Sequence, residues 1–402
     1  MNRSNEQDLP QPRRCAMIMP MQNWQRVALG CGGAMFVGMG LGRFSYGAMV
    51  PALVQSGQLT TDEAGWVGGI NLASFLIGAF LSETFRRYRP MPSVMRWAVS
   101  LSVLALFSSA LPLGVVWLGF WRGLVGVTAG GIMVQGVALT TIAAPEGRRA
   151  VAAGLMFSGV GVGIFFAGVL APSLLSYGLA AAWAGIAVAG LIGAMAVVLG
   201  LRNAEGPPVG AESEASGFLQ ILRSGPVWPG LAAAYFLFSF GITPHTLYWV
   251  DFLARELDLG ISMGGLHWAV VGVFAVIGPW AAAWLARRVR AGWAVVVTFV
   301  VLGAGIAMPA LAAWAPILWL SSMIFGAQPG VSTVKAALAR DHAEPQDMPG
   351  VMRVMITASA IGAAAGGVAF PALFNLTDAY GPLFLIGGGA MFIAAVCMLP
   401  RR

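Results

Sequence analysis

The feature that most constrains this chain is a succession of long apolar runs. They cover about 26–53, 64–82, 95–112, 115–143, 150–175, 180–200, 229–253, 264–286, 293–313, 317–338, 352–376 and 381–399. Crossing a bilayer core takes roughly 20 mostly apolar residues as a helix. In hydrocarbon each backbone N–H and C=O must find its partner inside its own segment or in a closed barrel. A barrel would read as short alternating stretches; these runs are continuous, so they predict helices. Of the 402 residues 58% are hydrophobic and only 10% charged, too few charges to cover that much apolar surface in water. The expected class is all-α: a polytopic membrane protein with twelve transmembrane helices.

Charge sets the expected orientation. Of the 23 basic residues, all but Arg43, Arg122, Arg255 and Lys335 fall on the side of the N-terminus, in its tail and in alternate loops. The opposite loops carry Arg255 together with Asp62, Glu63, Glu256, Asp258 and Asp378. Basic residues gather in cytoplasmic loops, so both termini are expected in the cytoplasm and the protein in a bacterial inner membrane. The net charge of +7 follows from this asymmetry; no basic face interleaved with aromatics is present, and no nucleic-acid partner is expected. Cys15, Cys31 and Cys397 are too few and scattered for a disulfide framework or metal centre. The first residues have no h-region or cleavage site, so no signal peptide is expected; Met17, Met19 and Met21 are alternative starts.

Residues 202–227, rich in Pro, Gly, Ser and Glu, read as a flexible cytoplasmic linker. The expected organisation is a tail over 1–25, a six-helix half over 26–201, the linker, and a second six-helix half over 228–400. The halves resemble each other. GIFFAGVLAP places Gly163, Gly168 and Pro172 as GAAAGGVAFP places Gly362, Gly367 and Pro371. Trp117-Leu118 and Trp319-Leu320 open the fourth and tenth runs. Parallel repeats about a central linker are a layout of secondary transporters, with the substrate site at the midplane between them.

On these motifs the chain resembles the major facilitator superfamily. WRGLVGVTAGG, with Arg122, Gly126 and Gly130, is similar to the arginine–glycine motif of that family's fourth helix, and GLMFSGVGVGIFFAGVLAP to the glycine–proline motif of its fifth. GAFLSETFRRYRP keeps the Gly78, Arg86 and Arg87 of the loop after the second helix, with Ser82 and Glu83 near the place of its Asp. GLGRFSYGAMVPAL and AGWVGGINLASFLIGAFLS resemble the YbfB/YjiJ-like bacterial branch. The resemblance covers about residues 26–400. It implies the major facilitator fold and alternating access, with helices one and four lining a central cavity.

Charges embedded in spans are costly and usually face a bundle interior or wet cavity. Arg43, in LGRFSYG, lies roughly 25 Å along the first span at 1.5 Å per residue, and Arg122 lies at similar depth in the fourth. The planar fork of a guanidinium suits a carboxylate. Candidate substrate-binding residues are Arg43, Tyr46, Asn71, Arg122, His245 and Tyr248; each has a structural alternative, as a snorkelling cation, a packing residue or a helix–helix hydrogen bond. Candidates for coupling or gating are Arg122, His245, Asp251, Arg86, Arg87, Glu83 and Lys335. His245 is the best-placed proton-titrating group. Asp251 is either interfacial or paired with an arginine, and Lys335 either snorkels or serves a vestibule.

No Walker A sequence, HExxH, GxSxG or pair of catalytic carboxylates occurs, and Gly161-Val162-Gly163 has no preceding strand. An enzyme is not expected, nor a cofactor or a metal. The expected function is secondary transport of a small solute, foremost an organic anion, by symport or antiport, coupled to a proton, by a monomer in the bilayer. The alternatives are efflux of hydrophobic or aromatic compounds, and a non-transporting receptor or scaffold.

Overall fold

The computed structural model describes residues 21–206, 218–343 and 347–399. Most of the tail, with Cys15, Met17 and Met19, and the linker core 207–217 lie outside the described residues. Among those described, eleven helices are long and apolar enough to cross a membrane, and a bent pair brings the number to twelve. They are span 1 (Asn23–Gln55), span 2 (Thr61–Arg86), span 3 (Met91–Ser108), span 4 (Val115–Ala143), span 5 (Glu146–Leu175) and span 6 (Leu179–Gly200). After a short helix, Phe218–Arg223, come span 7 (Val227–Glu256), span 8 (Gly260–Arg288), span 9 (Ala291–Leu311), span 10 (Ala315–Gly326 with Gly330–His342), span 11 (Met348–Thr377) and span 12 (Tyr380–Cys397). The end of the bundle where span 1 opens is called the near end, the opposite one the far end.

Local chemistry sets the boundaries. Span 2 opens on a capping box: Thr60 Oγ1 accepts from the Glu63 N–H and Glu63 Oε2 from the Thr60 N–H. The turns before spans 4 and 6 rest on Gly114 and Gly178, at φ of 88° and 103°, where a side chain would be strained. Among the described residues spans 1, 7 and 10 depart from regular α-helices; span 7 is interrupted near Ile242 and ends in a π-helix over Phe252–Glu256. Span 1 widens into a π-helix over Phe36–Arg43, with the Phe44 N–H reaching back five residues to the Met39 carbonyl. Span 10 bends by 43° between Gly326 and Gly330. Pro329 has no N–H to continue the ladder there, and the neighbouring amides bond three residues back.

Span 1 packs on spans 4, 5 and 6, and span 2 on span 4; span 7 packs on spans 11 and 12, and span 8 on span 10. Between the two groups, span 5 crosses span 8 and span 2 crosses span 11. Both crossings use the repeated motif. A Cβ on Gly168 would meet the Gly265 carbonyl and Ala269, and Pro172 lies on Gly265; a Cβ on Gly367 would meet Gly69 and Leu72, and Pro371 lies on Gly65. Gly163 abuts the Phe36 carbonyl of span 1 as Gly362 abuts the Phe236 carbonyl of span 7. The sequence repeat is thus a repeat of contacts.

Span 1 meets span 7 chiefly at the far end, through Ser45–Gln55 against Thr243–Asp251. Every residue of Ser45–Leu53 and of Thr243–Asp251 is buried. The far end of the bundle is therefore closed around these two segments.

Candidate functional site

The π turn of span 1 delivers two acceptors and a cation to one level. Arg122, fully buried on span 4, donates through NH1 to the Gly42 carbonyl (3.0 Å) and through NH2 to Ser109 Oγ (3.1 Å). Its guanidinium lies 4.9 Å from the Trp183 ring centroid. Trp268 of span 8 donates to the Phe44 carbonyl (3.1 Å), tying the same turn to the second group of helices. Asn71 Nδ2 donates to the Arg122 carbonyl (2.8 Å), and Tyr46 donates to the Ala64 carbonyl (2.8 Å) with its ring over Gly68. Arg43, Tyr46, Asn71 and Arg122 thus share one region, among spans 1, 2 and 4.

Arg43 differs from Arg122 in what holds it. Its exposure is 9%, and among the described residues it makes no ion pair; its Nε is sealed and without a hydrogen-bond partner. Two rings lie beside it: Phe75 with its centroid 5.1 Å away and Phe44 at 5.9 Å. Phe75 packs with Ala129 and Met133 of span 4 and with Ala360 of span 11, so the cation sits at the border between the two groups of helices. Rings attract a cation through their quadrupole but do not neutralise it.

Lys335 is a further buried cation that pairs with no carboxylate among the described residues. It is 8% exposed on the near-end part of span 10, with Nζ 3.6 Å from the Tyr235 ring centroid. Tyr235 donates to the Val331 carbonyl one turn before Lys335 (3.2 Å), which fixes the ring beneath it.

Asp251 is the one fully buried carboxylate among the described residues. Arg255, four residues on and on the same helix face, grips it with Nε to Oδ1 and NH2 to Oδ2, both 2.6 Å. Tyr380 of span 12 donates to Oδ2, and Arg255 NH2 also donates to Thr61 Oγ1 at the start of span 2 (3.0 Å). Of the two alternatives for Asp251, the structure has the arginine pairing. The cluster joins spans 7, 12 and 2 at the far end. Tyr248 lies one turn before Asp251, stacked on Phe374 (5.4 Å), with its hydroxyl sealed beside Gly65 and unpartnered.

His245 is enclosed elsewhere. Its Nε2 lies 2.9 Å from Ser321 Oγ, which donates to the Gly305 carbonyl (2.7 Å), so the ring nitrogen is the donor to the serine. Trp249, Phe325 and Phe384 surround the ring at centroid distances of 4.6, 5.0 and 4.9 Å. Its Nδ1 is sealed without a hydrogen-bond partner, so the ring is tightly packed but only one of its nitrogens is satisfied. Arg86 ends span 2, and Arg87 is exposed at its C-cap; the Glu83 side chain lies outside the described ones. These near-end residues are not brought to the Arg43 region.

Reading the sequence missed Phe75, Ser109, Trp183 and Tyr380, and counted Arg255 only as a loop charge. The spacing Asp251–Arg255 was the available signal. The others are apolar or weakly polar residues far away in the chain, with nothing local to single them out.

The chain matches the family model described as "Uncharacterised MFS-type transporter YbfB" over residues 35–399. It is also similar to a Haemophilus influenzae protein described as "Putative metabolite transport protein", 26% identical over 277 residues, which are 63% of this chain. The match spans 66% of that relative's length, just under two thirds.

Proposed function

Because the chain belongs to the major facilitator superfamily, within its YbfB-type family, we propose that it carries a small organic anion across a bacterial inner membrane by alternating access. The name of the relative, a metabolite transport protein, points the same way, toward a transporter rather than an enzyme. One observation carries the choice of an anion. Among the described buried side chains the only carboxylate, Asp251, is taken up by Arg255, while Arg43, Arg122 and Lys335 have no carboxylate partner. A buried charge without a counterion is costly. A bound carboxylate would supply the missing charge at Arg43, where two parallel N–H donors suit it.

The near end is the cytoplasmic one in this reading, following the basic loops. The conformation, closed where span 1 meets span 7, is then the one that faces the cytoplasm. Transport couples to a proton, with the Asp251–Arg255–Tyr380 cluster the buried acid best placed to be uncovered when the far end opens.

The test is thermal stabilisation of purified protein by a panel of organic anions, cations and neutral aromatics. A ligand that binds the folded state stabilises it by mass action, by about 2.7 kcal/mol at a hundredfold excess over Kd, and so raises the melting temperature. Stabilisation by carboxylates, lost in Arg43→Gln and partly kept in Arg43→Lys, is the expected result. Stabilisation by cations or neutral aromatics alone would move the reading to efflux of hydrophobic compounds. Flux in proteoliposomes separates a carrier from a receptor.

A further inference from the structure

We infer that the near end of span 3 carries a binding site for the phosphate of an anionic phospholipid, built on Arg96. The site is independent of the transport reading. Ser93, Arg96, Trp97 and Ser100 stand at i, i+3, i+4 and i+7, on one helix face. They line a cavity of about 270 Å³. Met91, Met95 and Val99 of the same helix are buried against the bundle, while Trp97 is 70% exposed and Ser100 is exposed. The cavity therefore opens sideways, toward lipid.

Its depth suits a headgroup. Arg96 is five residues from the start of span 3, roughly 7 Å along the axis. Trp97 beside it, with its large amphipathic ring facing outward, sits where tryptophans collect in membranes. Arg96 is anchored by one nitrogen only: NH2 donates to the carbonyl of Leu201, just past the end of span 6 (2.9 Å). That bond holds the guanidinium in place at the cavity, while Nε has no partner among the described residues. No carboxylate among the described residues pairs with Arg96. Arg87, Arg89 and Arg202 are exposed around the same corner, and Tyr88 is 72% exposed. Clustered arginines at the membrane surface attract anionic lipid. The two serine hydroxyls add donors for phosphate oxygens, and the indole supplies the flat apolar wall that an acyl chain needs.

A free phosphate would match the arginine and serines but leave the indole unused. The experiment compares the sources directly. Delipidated full-length protein is titrated with phosphatidylglycerol, with phosphatidylcholine and with inorganic phosphate. The readouts are melting temperature and lipid retained in native mass spectrometry. Phosphatidylglycerol is expected to be retained and to raise the melting temperature by several degrees, the other two to do neither. Arg96→Gln is expected to weaken retention at least tenfold. Ser100→Asp, which leaves the Leu201 bond in place and puts a negative charge in the cavity, is expected to do the same, so the test stands even where Arg96→Gln folds poorly. Equal retention of phosphatidylglycerol by the folded Ser100→Asp protein would overturn the site. So would equal stabilisation by phosphatidylcholine, which would leave the cavity indifferent to headgroup charge, or by inorganic phosphate, which would make it a site for free anions. None of these outcomes bears on Arg43 or on organic-anion transport.

Discussion

Arg122 and Gly42, eighty residues apart, are joined by a hydrogen bond from the guanidinium to a backbone carbonyl at the end of a π turn. With Ser109 on its other nitrogen and Trp183 on its face, Arg122 connects spans 1, 3, 4 and 6 at one point. Its planar fork spans two acceptors that a point charge cannot reach together. Arg122→Lys should therefore lower the melting temperature by several degrees, with a loss of about 1–3 kcal/mol for the buried acceptor left unpaired. Calorimetry or a thermal-shift assay in detergent measures it; an unchanged melting temperature would mean the fork holds nothing together.

Phe75 is the main face on which Arg43 rests. Phe75→Leu keeps an apolar side chain and removes the quadrupole, worth about 1–2 kcal/mol at a desolvated site. Anion affinity measured by calorimetric titration should change severalfold, while Phe75→Tyr should leave it near the original value. Identical affinities in the two variants would take the ring out of the site.

The far-end cluster should act as a latch. Breaking one partner of a buried ion pair costs about 3–5 kcal/mol. Arg255→Gln should release Thr61 and loosen the contact between spans 2 and 7. With the three native cysteines replaced, a cysteine introduced for Ser45, which is fully buried in this state, should react faster with a membrane-impermeant thiol reagent when Arg255→Gln is present. No gain in reactivity would place the seal elsewhere along the far-end segments of spans 1 and 7.

Span 2 crosses span 11 where Gly69 faces the Gly367 carbonyl, closer than any Cβ tolerates. Gly69→Ala must push the helices apart, and overpacking of this kind costs about 1–3 kcal/mol. Flux and melting temperature should both fall. Gly389, where an added Cβ would meet nothing within 4 Å, should accept alanine without loss and serves as the control.

His245→Gln preserves a donor toward Ser321 but not the titratable ring. Because the imidazole is enclosed by Trp249, Phe325 and Phe384, the pH profile of flux in proteoliposomes should keep its midpoint. A shifted midpoint would return His245 to the coupling path.

How far the site could be read from the chain depended on the reach of each interaction. The pair Asp251–Arg255 is four residues long and could be seen as a helix-face spacing. Tyr380, which completes it, lies 129 residues from Asp251. Arg43 and Arg122 stood out because each is a charge in an apolar run, but their different fates did not. One is held by a carbonyl, a hydroxyl and an indole, while the other lies against two phenyl rings with its charge unpaired among the described residues, and nothing near either residue in the chain distinguishes them.

The sequence by itself determined the spans, their number, the repeat and the family. In hydrocarbon each helix must satisfy its own backbone, so a run of apolar residues decides its structure locally. Even the bend of span 10 has a local cause in Pro329. Tertiary structure alone decided which embedded charges are neutralised, that span 1 widens beneath Arg43, and that the far end is closed. Those outcomes rest on side chains meeting across spans dozens to hundreds of residues apart, where the partner is chosen by how helices pack and not by any signal beside the residue.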